Sequence, residues 1–278
     1  MALTNSNIET YVIRVMMIFT TFSLLFAKKA NSKNTVIFNF PKFTKDDIPS
    51  LTLQGSADIL LNGALSLTDT THATPNVGRV LYSSPVPIWD NNTGHVVSFV
   101  TSFSFEITPW PNVSNSDGLV FFLTDPANIK IPENSGQGDL GVINSNNAFN
   151  KFVGVEFDTY ANTWDPPYQH IGIDVNSLYS SKYIKWNSVS ESLVKVQIIY
   201  ESSSTTLTVV VTDKNGQISI LAQVLDLSYL LPHEVVVGIS ATSGVRQSHF
   251  IYSWSFTSFL DLTKKIISDN INNVIASN

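Results

Sequence analysis

The stretch HVVSFVTSFSFEI (residues 95–107) sets Phe99, Thr101, Phe103 and Phe105 on one side of an extended chain and Val100, Ser102 and Ser104 on the other. Neighbouring side chains of a strand point to opposite faces, so this spacing gives one buried and one lighter face, as an antiparallel sandwich requires. Working outward, short runs rich in Val, Ile, Phe and Thr recur between polar or Gly/Pro/Asn punctuation. They are VIFNF (36–40), DGLVFFL (117–123), FVGVEFDTY (152–160), HIGIDV (170–175), LVKVQIIYE (193–201), TLTVVVTD (206–213), ISILAQVLDL (218–227), EVVVGISA (234–241) and HFIYSWSF (249–256). Each reads as a strand. Asp213-Lys214-Asn215-Gly216 reads as a hairpin turn, Asn-Gly tolerating the positive φ that such turns use. No helical apolar period persists beyond about ten residues before the C-terminus, and nothing marks a second domain. The expected fold is all-β, an antiparallel β-sandwich over residues 33–262, followed by a tail, TKKIISDNINNVIASN (263–278), that is helical or processed.

The chain has 278 residues, 43% of them hydrophobic and 14% charged, with 17 Phe, 9 Tyr and 5 Trp. A charged share well under the usual quarter, with this many aromatics, suits pleated half-buried surfaces and speaks against coiled coil, disorder or charge-laced helices. Lys and Arg number 16 against 22 Asp and Glu, a formal charge of −6, and the basic residues form no long cluster. Nucleic acid is therefore not an expected partner. Cysteine is absent, which excludes disulfides, thiolate metal sites and thiol nucleophiles. Any metal must be held by carboxylate, amide, carbonyl or imidazole.

The apolar segment YVIRVMMIFTTFSLLFA (11–27) is short of the roughly 20 residues that span a bilayer. It ends in AKKANS, with Ala30 and Ser32 at the −3 and −1 positions of a cleavage, so residues 1–32 read as a signal peptide and not an anchor. Removing them takes away Arg14, Lys28, Lys29 and Glu9, leaving a mature chain more acidic than the −6 of the whole. The sequons Asn91-Asn92-Thr93 and Asn112-Val113-Ser114 agree with a secretory route and mark Asn91 and Asn112 for glycosylation. The expected destination is extracellular or vacuolar, without membrane insertion once the leader is gone.

Residues 156–170, EFDTYANTWDPPYQH, concentrate Glu156, Asp158, Asn162, Asp165 and His170. On a strand Glu156 and Asp158 lie two apart and point from one face. Two like charges held that close need a proton, a basic residue or a cation. With no Lys or Arg between Lys151 and Lys182, a cation is the natural answer. Pro166-Pro167 fixes a turn able to bring Asp165 and His170 back toward the strand. Asp, Asn and a backbone carbonyl suit calcium, and carboxylates with an imidazole suit a transition metal such as manganese. Two ions bridged by Asp158 and Asp165 use every group. Any one of these residues alone reads equally well as a turn cap or a surface side chain; the five together point to metal.

The mature chain resembles a legume lectin over almost its whole length. The resemblance rests on VEFDTYANTWDP followed by HIGIDVNS, on DGLVFFL, on the Gly-x-Gly-x-Leu-Gly stretch GQGDLG (136–141) and on the late SWSFTS (253–258), all in the family's order. It implies a flattened jelly-roll sandwich with one calcium and one manganese beside a shallow sugar site. By the same resemblance Glu156, Asp158, Asp165 and His170 hold manganese. Asp158, the Tyr160 carbonyl, Asn162 and Asp165 hold calcium. Asp117 accepts from two sugar hydroxyls, Asn162 donates its amide, Gly138 offers a backbone N–H where a side chain would block approach, and Tyr160 stacks on the ring. The implied partners are glycans and glycoproteins, with assembly as homodimer or homotetramer and a role in plant defence.

Two departures bear on the sugar site. Ser116 stands where the family commonly has Ala joined to the site Asp by a cis peptide. The specificity loop SATSGVRQSH (240–249) is compact, which favours mannose/glucose-type glycans, while Arg246 and Gln247 are long polar groups that leave galactose or a complex glycan as the alternative. A sandwich glycosidase needs a second Glu after Glu156-Phe157-Asp158, and Tyr160 and Ala161 stand there instead. The other rivals are a lectin-like enzyme inhibitor without sugar binding and a receptor ectodomain. The first is opposed by the presence of Asp117, Gly138 and Asn162 together.

Overall fold

The alternation around Phe103 is realised as the strand Ser98–Pro109, which buries Phe99, Thr101, Phe103, Phe105 and Ile107 and leaves Val100 and Ser102 half-buried. The computed structural model describes residues 35–68, 76–109, 116–143, 151–187, 191–244 and 247–259. All of them fall in the compact unit Asn34–Asn278, one of two into which the chain divides, the other being Met1–Lys33. The leader, Asn112, Arg246 and the tail after 262 lie outside the described residues.

Two eight-stranded antiparallel sheets make up the sandwich. The back sheet runs Ile218–Val224, Thr206–Thr212, Val194–Glu201, Ser98–Pro109, Gln247–Phe259, Leu65–Thr68, Asp58–Ile59, with Ile37–Phe40 also paired to Gln247–Phe259. The front sheet runs Lys182–Lys185, His170–Val175, Phe152–Asp158, Gly118–Thr124, Glu234–Ser243, Asn76–Tyr82, Leu51–Gly55, with Val86–Pro87 beside Glu234–Ser243. The expected turn at 213–216 closes the back-sheet hairpin: Asp213 Oδ1 accepts from the Asn215 and Gln217 N–H groups, and Gly216 has φ +78°.

Between the sheets the core is aromatic. Phe105 meets Phe157 edge-on with ring centroids 4.9 Å apart, and Phe103 stacks on Phe121 at 6.1 Å, each pair joining one sheet to the other. Burying such a side chain fully is worth about 1.5–3 kcal/mol. The front sheet is covered on its other side as well. Leu119, Phe121 and Leu123 enter the main core, while the intervening Val120 and Phe122 join a second cluster with Leu81, Leu140, Val142, Ile143, Phe152, Leu178 and Val236. Arg79 is buried in that second layer with its guanidinium 4.6 Å from the centre of the Phe122 ring. Among the described residues no helix is long and apolar enough to cross a membrane.

Candidate functional site

The front-sheet hairpin formed by Phe152–Asp158 and His170–Val175 gathers the acidic residues. His170 stands directly opposite Asp158, and Gly172 opposite Glu156. Opposed residues of an antiparallel pair share a face, as do residues two apart on one strand. Glu156, Asp158 and His170 therefore converge, with one ligand atom from each lying within 4.8 Å of the others. All three are buried, and His170 Nε2 is 2.8 Å from Glu156 Oε1. Gly172 leaves the room they need, because a Cβ there would collide with Ser180 Oγ and Glu156 Oε1.

Past Asp158 the chain folds back on itself. The Tyr160 N–H donates to Asp158 Oδ1 at 2.6 Å and the Asn162 N–H to Asp165 Oδ2 at 2.7 Å, while the Asp165 N–H returns to Asn162 O at 3.2 Å. Burial, reinforced by the negative Glu156 and Asp165, pushes the Asp158 carboxyl up to about 9, against the Tyr160 hydrogen bond. Burial also raises Asp165, and it raises Asp174 well above the carboxylate range with Glu156 adding to it. Carboxyls packed this way cannot ionise together without a compensating positive charge. Asp117 Oδ2, His170 Nδ1 and Asp174 Oδ2 are buried without a hydrogen-bond partner in the described protein. Oxygen donors with one imidazole and unspent polar atoms fit divalent metal.

Asp117 enters beside this cluster because its neighbour Gly118 is registered against Asp158. The Ser116-Asp117 peptide is cis even with Ser in place of the family's common Ala. The Asp117 carbonyl accepts from the Thr159 N–H at 2.9 Å and the Asp117 N–H donates to Thr242 O at 3.2 Å. Burial lifts the Asp117 carboxyl to about 6, opposed by hydrogen bonds from the Ser116 side chain and the Gly244 N–H. Gly138 lies in the 3-10 turn Gln137–Asp139, and a Cβ built on it would fall 2.7 Å from Asn162 Oδ1. A Cβ on Gly244 would fall 3.0 Å from Asp117 Oδ2 and 3.7 Å from Gln137 Cγ. Asp117, Gly138 and Asn162 are thus brought into one neighbourhood through Gly244 and Gln137; Tyr160, two residues before Asn162, is 43% exposed. Asn91 lies in an exposed turn whose Asp90 Oδ1 accepts from Asn92 N, Thr93 N and Thr93 Oγ1.

Asp174, Ser180 and Gly244 were not expected from the sequence, though each touches the site; Gln247, expected as a long polar group able to reach the sugar, is instead buried. Ser180 Oγ bonds Glu156 Oε1 and lies 2.9 Å from Asp174 Oδ1. The signal for Asp174 is the same alternation that places His170: His170, Gly172 and Asp174 share one face of HIGIDV.

The family model for the legume lectin domain matches residues 35–272. The chain belongs to the legume lectin family. This lectin is 52% identical to a non-seed lectin of Pisum sativum over 246 residues, 87% of this chain and 92% of that one. It is 48% identical to a galactose-binding lectin of Arachis hypogaea over 261 residues, 91% and 94% of the two chains. Its fold matches a seed lectin of Lotus tetragonolobus with a TM-score of 0.77 at 47% identity, covering 81% of this chain and 99% of that one. The lectin is a carbohydrate-binding protein and not an enzyme, in keeping with a Phe152–Asp158 strand that runs into Tyr160 and Ala161 where a glycosidase would place its second Glu.

Proposed function

We propose that this lectin binds glycans through Asp117, the Gly138 N–H, Asn162 and Tyr160, and that binding depends on calcium and manganese held next door. The observation that carries the reading is the meeting of Gly138 with the Asn162 amide at the end of the buried acidic hairpin. Asp117 accepts from two ring hydroxyls, Asn162 donates to one of them, the Gly138 N–H donates to another oxygen, and the half-exposed Tyr160 ring covers an apolar C–H face. Glu156, Asp158, Asp165 and His170 would hold manganese; Asp158, the Tyr160 carbonyl, Asn162 and Asp165 would hold calcium. When bound, the ions supply the charge that lets these carboxylates coexist and the fixed direction of the Asn162 amide.

The compact segment 240–249 supports a mannose/glucose-type ligand. A second reading, galactose, is favoured by the name of the Arachis hypogaea relative. Competition of methyl α-mannoside and galactose for an immobilised glycoprotein separates the two: inhibition by galactose alone would reject the mannose/glucose reading, and inhibition by neither would reject both in favour of a complex glycan. The same proposal includes residues 1–32 as a leader into the secretory pathway, delivery outside the cell or to a vacuole, glycosylation at Asn91 and Asn112, and assembly as a homodimer or homotetramer.

A further inference from the structure

A run of buried polar groups connects the start of the Gln247–Phe259 strand to the main chain of Asp117. Thr68 Oγ1 lies 2.8 Å from Gln247 O and 2.7 Å from His249 Nδ1. Ser243 Oγ accepts from the Gln247 N–H at 2.7 Å. The Gln247 carboxamide lies 3.3 Å from Thr159 Oγ1, and Thr159 Oγ1 lies 2.6 Å from Asp117 O. Thr68, Asp117, Thr159, Ser243, Gln247 and His249 are all buried.

Donor counting fixes the direction of the run. A hydroxyl carries one hydrogen. Asp117 O can only accept, and at 2.6 Å it takes the Thr159 hydrogen. The Gln247 atom facing Thr159 must then be a donor. Carboxamide oxygen and nitrogen are assigned by their hydrogen bonds, so the amide is oriented with Nε2 toward Thr159. This orientation also gives a partner to Nε2, which otherwise stands buried without one. It leaves Oε1 bare, and an unpaired carbonyl oxygen is the more tolerated fault.

We propose that Gln247 is a positioning residue for the sugar site. Its amide donates to Thr159, commits that hydroxyl to the Asp117 carbonyl, and so holds the Asp117 backbone against the end of the metal-bearing strand. The inference rests on the reading of Asp117 as the sugar acceptor. It adds a second tie between the 240–249 segment and Asp117, whose N–H already donates to Thr242 O.

The test is a double-mutant cycle on the metal-loaded, full-length protein, with methyl α-mannoside and galactose as calorimetric titrants and thermal unfolding as the check on folding. Gln247→Met keeps length without a donor, and Thr159→Val keeps shape without a hydroxyl. Each should weaken sugar binding roughly three- to tenfold, the worth of one hydrogen bond. The double variant should bind no worse than Thr159→Val alone, because both changes cut one run, and Thr159→Ser should bind as wild type. Additive losses, or wild-type affinity in a folded Gln247→Met, would overturn the inference. If Gln247→Met does not fold, wild-type affinity in Thr159→Val, or no rescue by Thr159→Ser, overturns it. Asp117→Ala is the control for the underlying reading: retained affinity there would reject the Asp117 site itself, whereas lost affinity with an indifferent Gln247 would reject only the positioning role.

Discussion

Gly138 and Asn162 approach so closely that a Cβ on the glycine would lie 2.7 Å from the asparagine Oδ1 and 2.8 Å from its Nδ2. The atoms in the way are the tip of one partly exposed side chain and not backbone, so the clash can be relieved by turning Asn162. Gly138→Ala should therefore keep the wild-type unfolding midpoint within a degree or two and lose sugar binding at least tenfold. Calorimetry beside thermal unfolding checks both halves; unchanged affinity would place the sugar elsewhere.

Asp117 is buried with one carboxylate oxygen unpartnered, an arrangement that costs stability unless a ligand completes it. Asp117→Asn should fold at least as well as wild type at pH 7, since burial disfavours the charge it removes. It should also lose sugar binding, because an amide cannot accept at both positions. A folded variant that still binds would contradict the assignment.

Metal removal should act on stability and binding together. Glu156, Asp158 and His170 converge within 4.8 Å, and Asp165 is tied to Asn162 by two hydrogen bonds, one to its carboxylate from the Asn162 N–H and one from its own N–H to Asn162 O. Chelation should lower the unfolding midpoint by several degrees and abolish glycan binding, and calcium plus manganese should restore both. Elemental analysis of the restored protein should find two ions per chain. Full binding by protein shown to be metal-free would remove the ions from the mechanism.

His249 predicts a pH dependence away from the metals. It is buried, with only Thr68 Oγ1 on its Nδ1, and burial lowers it to about 3. The unfolded chain, with an ordinary histidine near 6.5, takes up the proton first. The contribution is thus complete above about pH 6.5 and lost as pH falls toward 3. Between pH 6.5 and 5 that is roughly 2 kcal/mol. Urea unfolding of wild type should show this loss and His249→Gln should lack it; identical slopes in both proteins would refute the assignment.

The site residues most legible in the sequence are those that sit on one hairpin. Glu156, Asp158, Asp165 and His170 fall within fifteen positions, so period-2 alternation and one turn suffice to bring them together. Ser98–Pro109 was legible because only one of its faces is fully buried. The front sheet was harder: GLVFFLT (118–124) is buried throughout, and with both faces covered its alternation carries no signal about which side faces the site. Leu51–Gly55, Leu65–Thr68 and Asn76–Tyr82 escaped for another reason, being short and interrupted by Gln, Ser, Arg and Gly. The burial of Gln247 against Thr159 and the approach of Gly244 to Asp117 depend on pairings distant along the chain, which no local pattern encodes.

The two halves of the site also differ in when they can exist during folding. Glu156 to His170 is a single hairpin, and closing so short a loop costs little chain entropy. Asp117, Gly138, Asn162 and Gly244 come from four separate segments that meet only after Glu234–Ser243 has docked between Gly118–Thr124 and Asn76–Tyr82. A partly folded chain can present the acidic hairpin to ions while having nowhere to seat a sugar. On the proposed site, retention on a sugar column would select fully assembled molecules, and metal uptake alone would not.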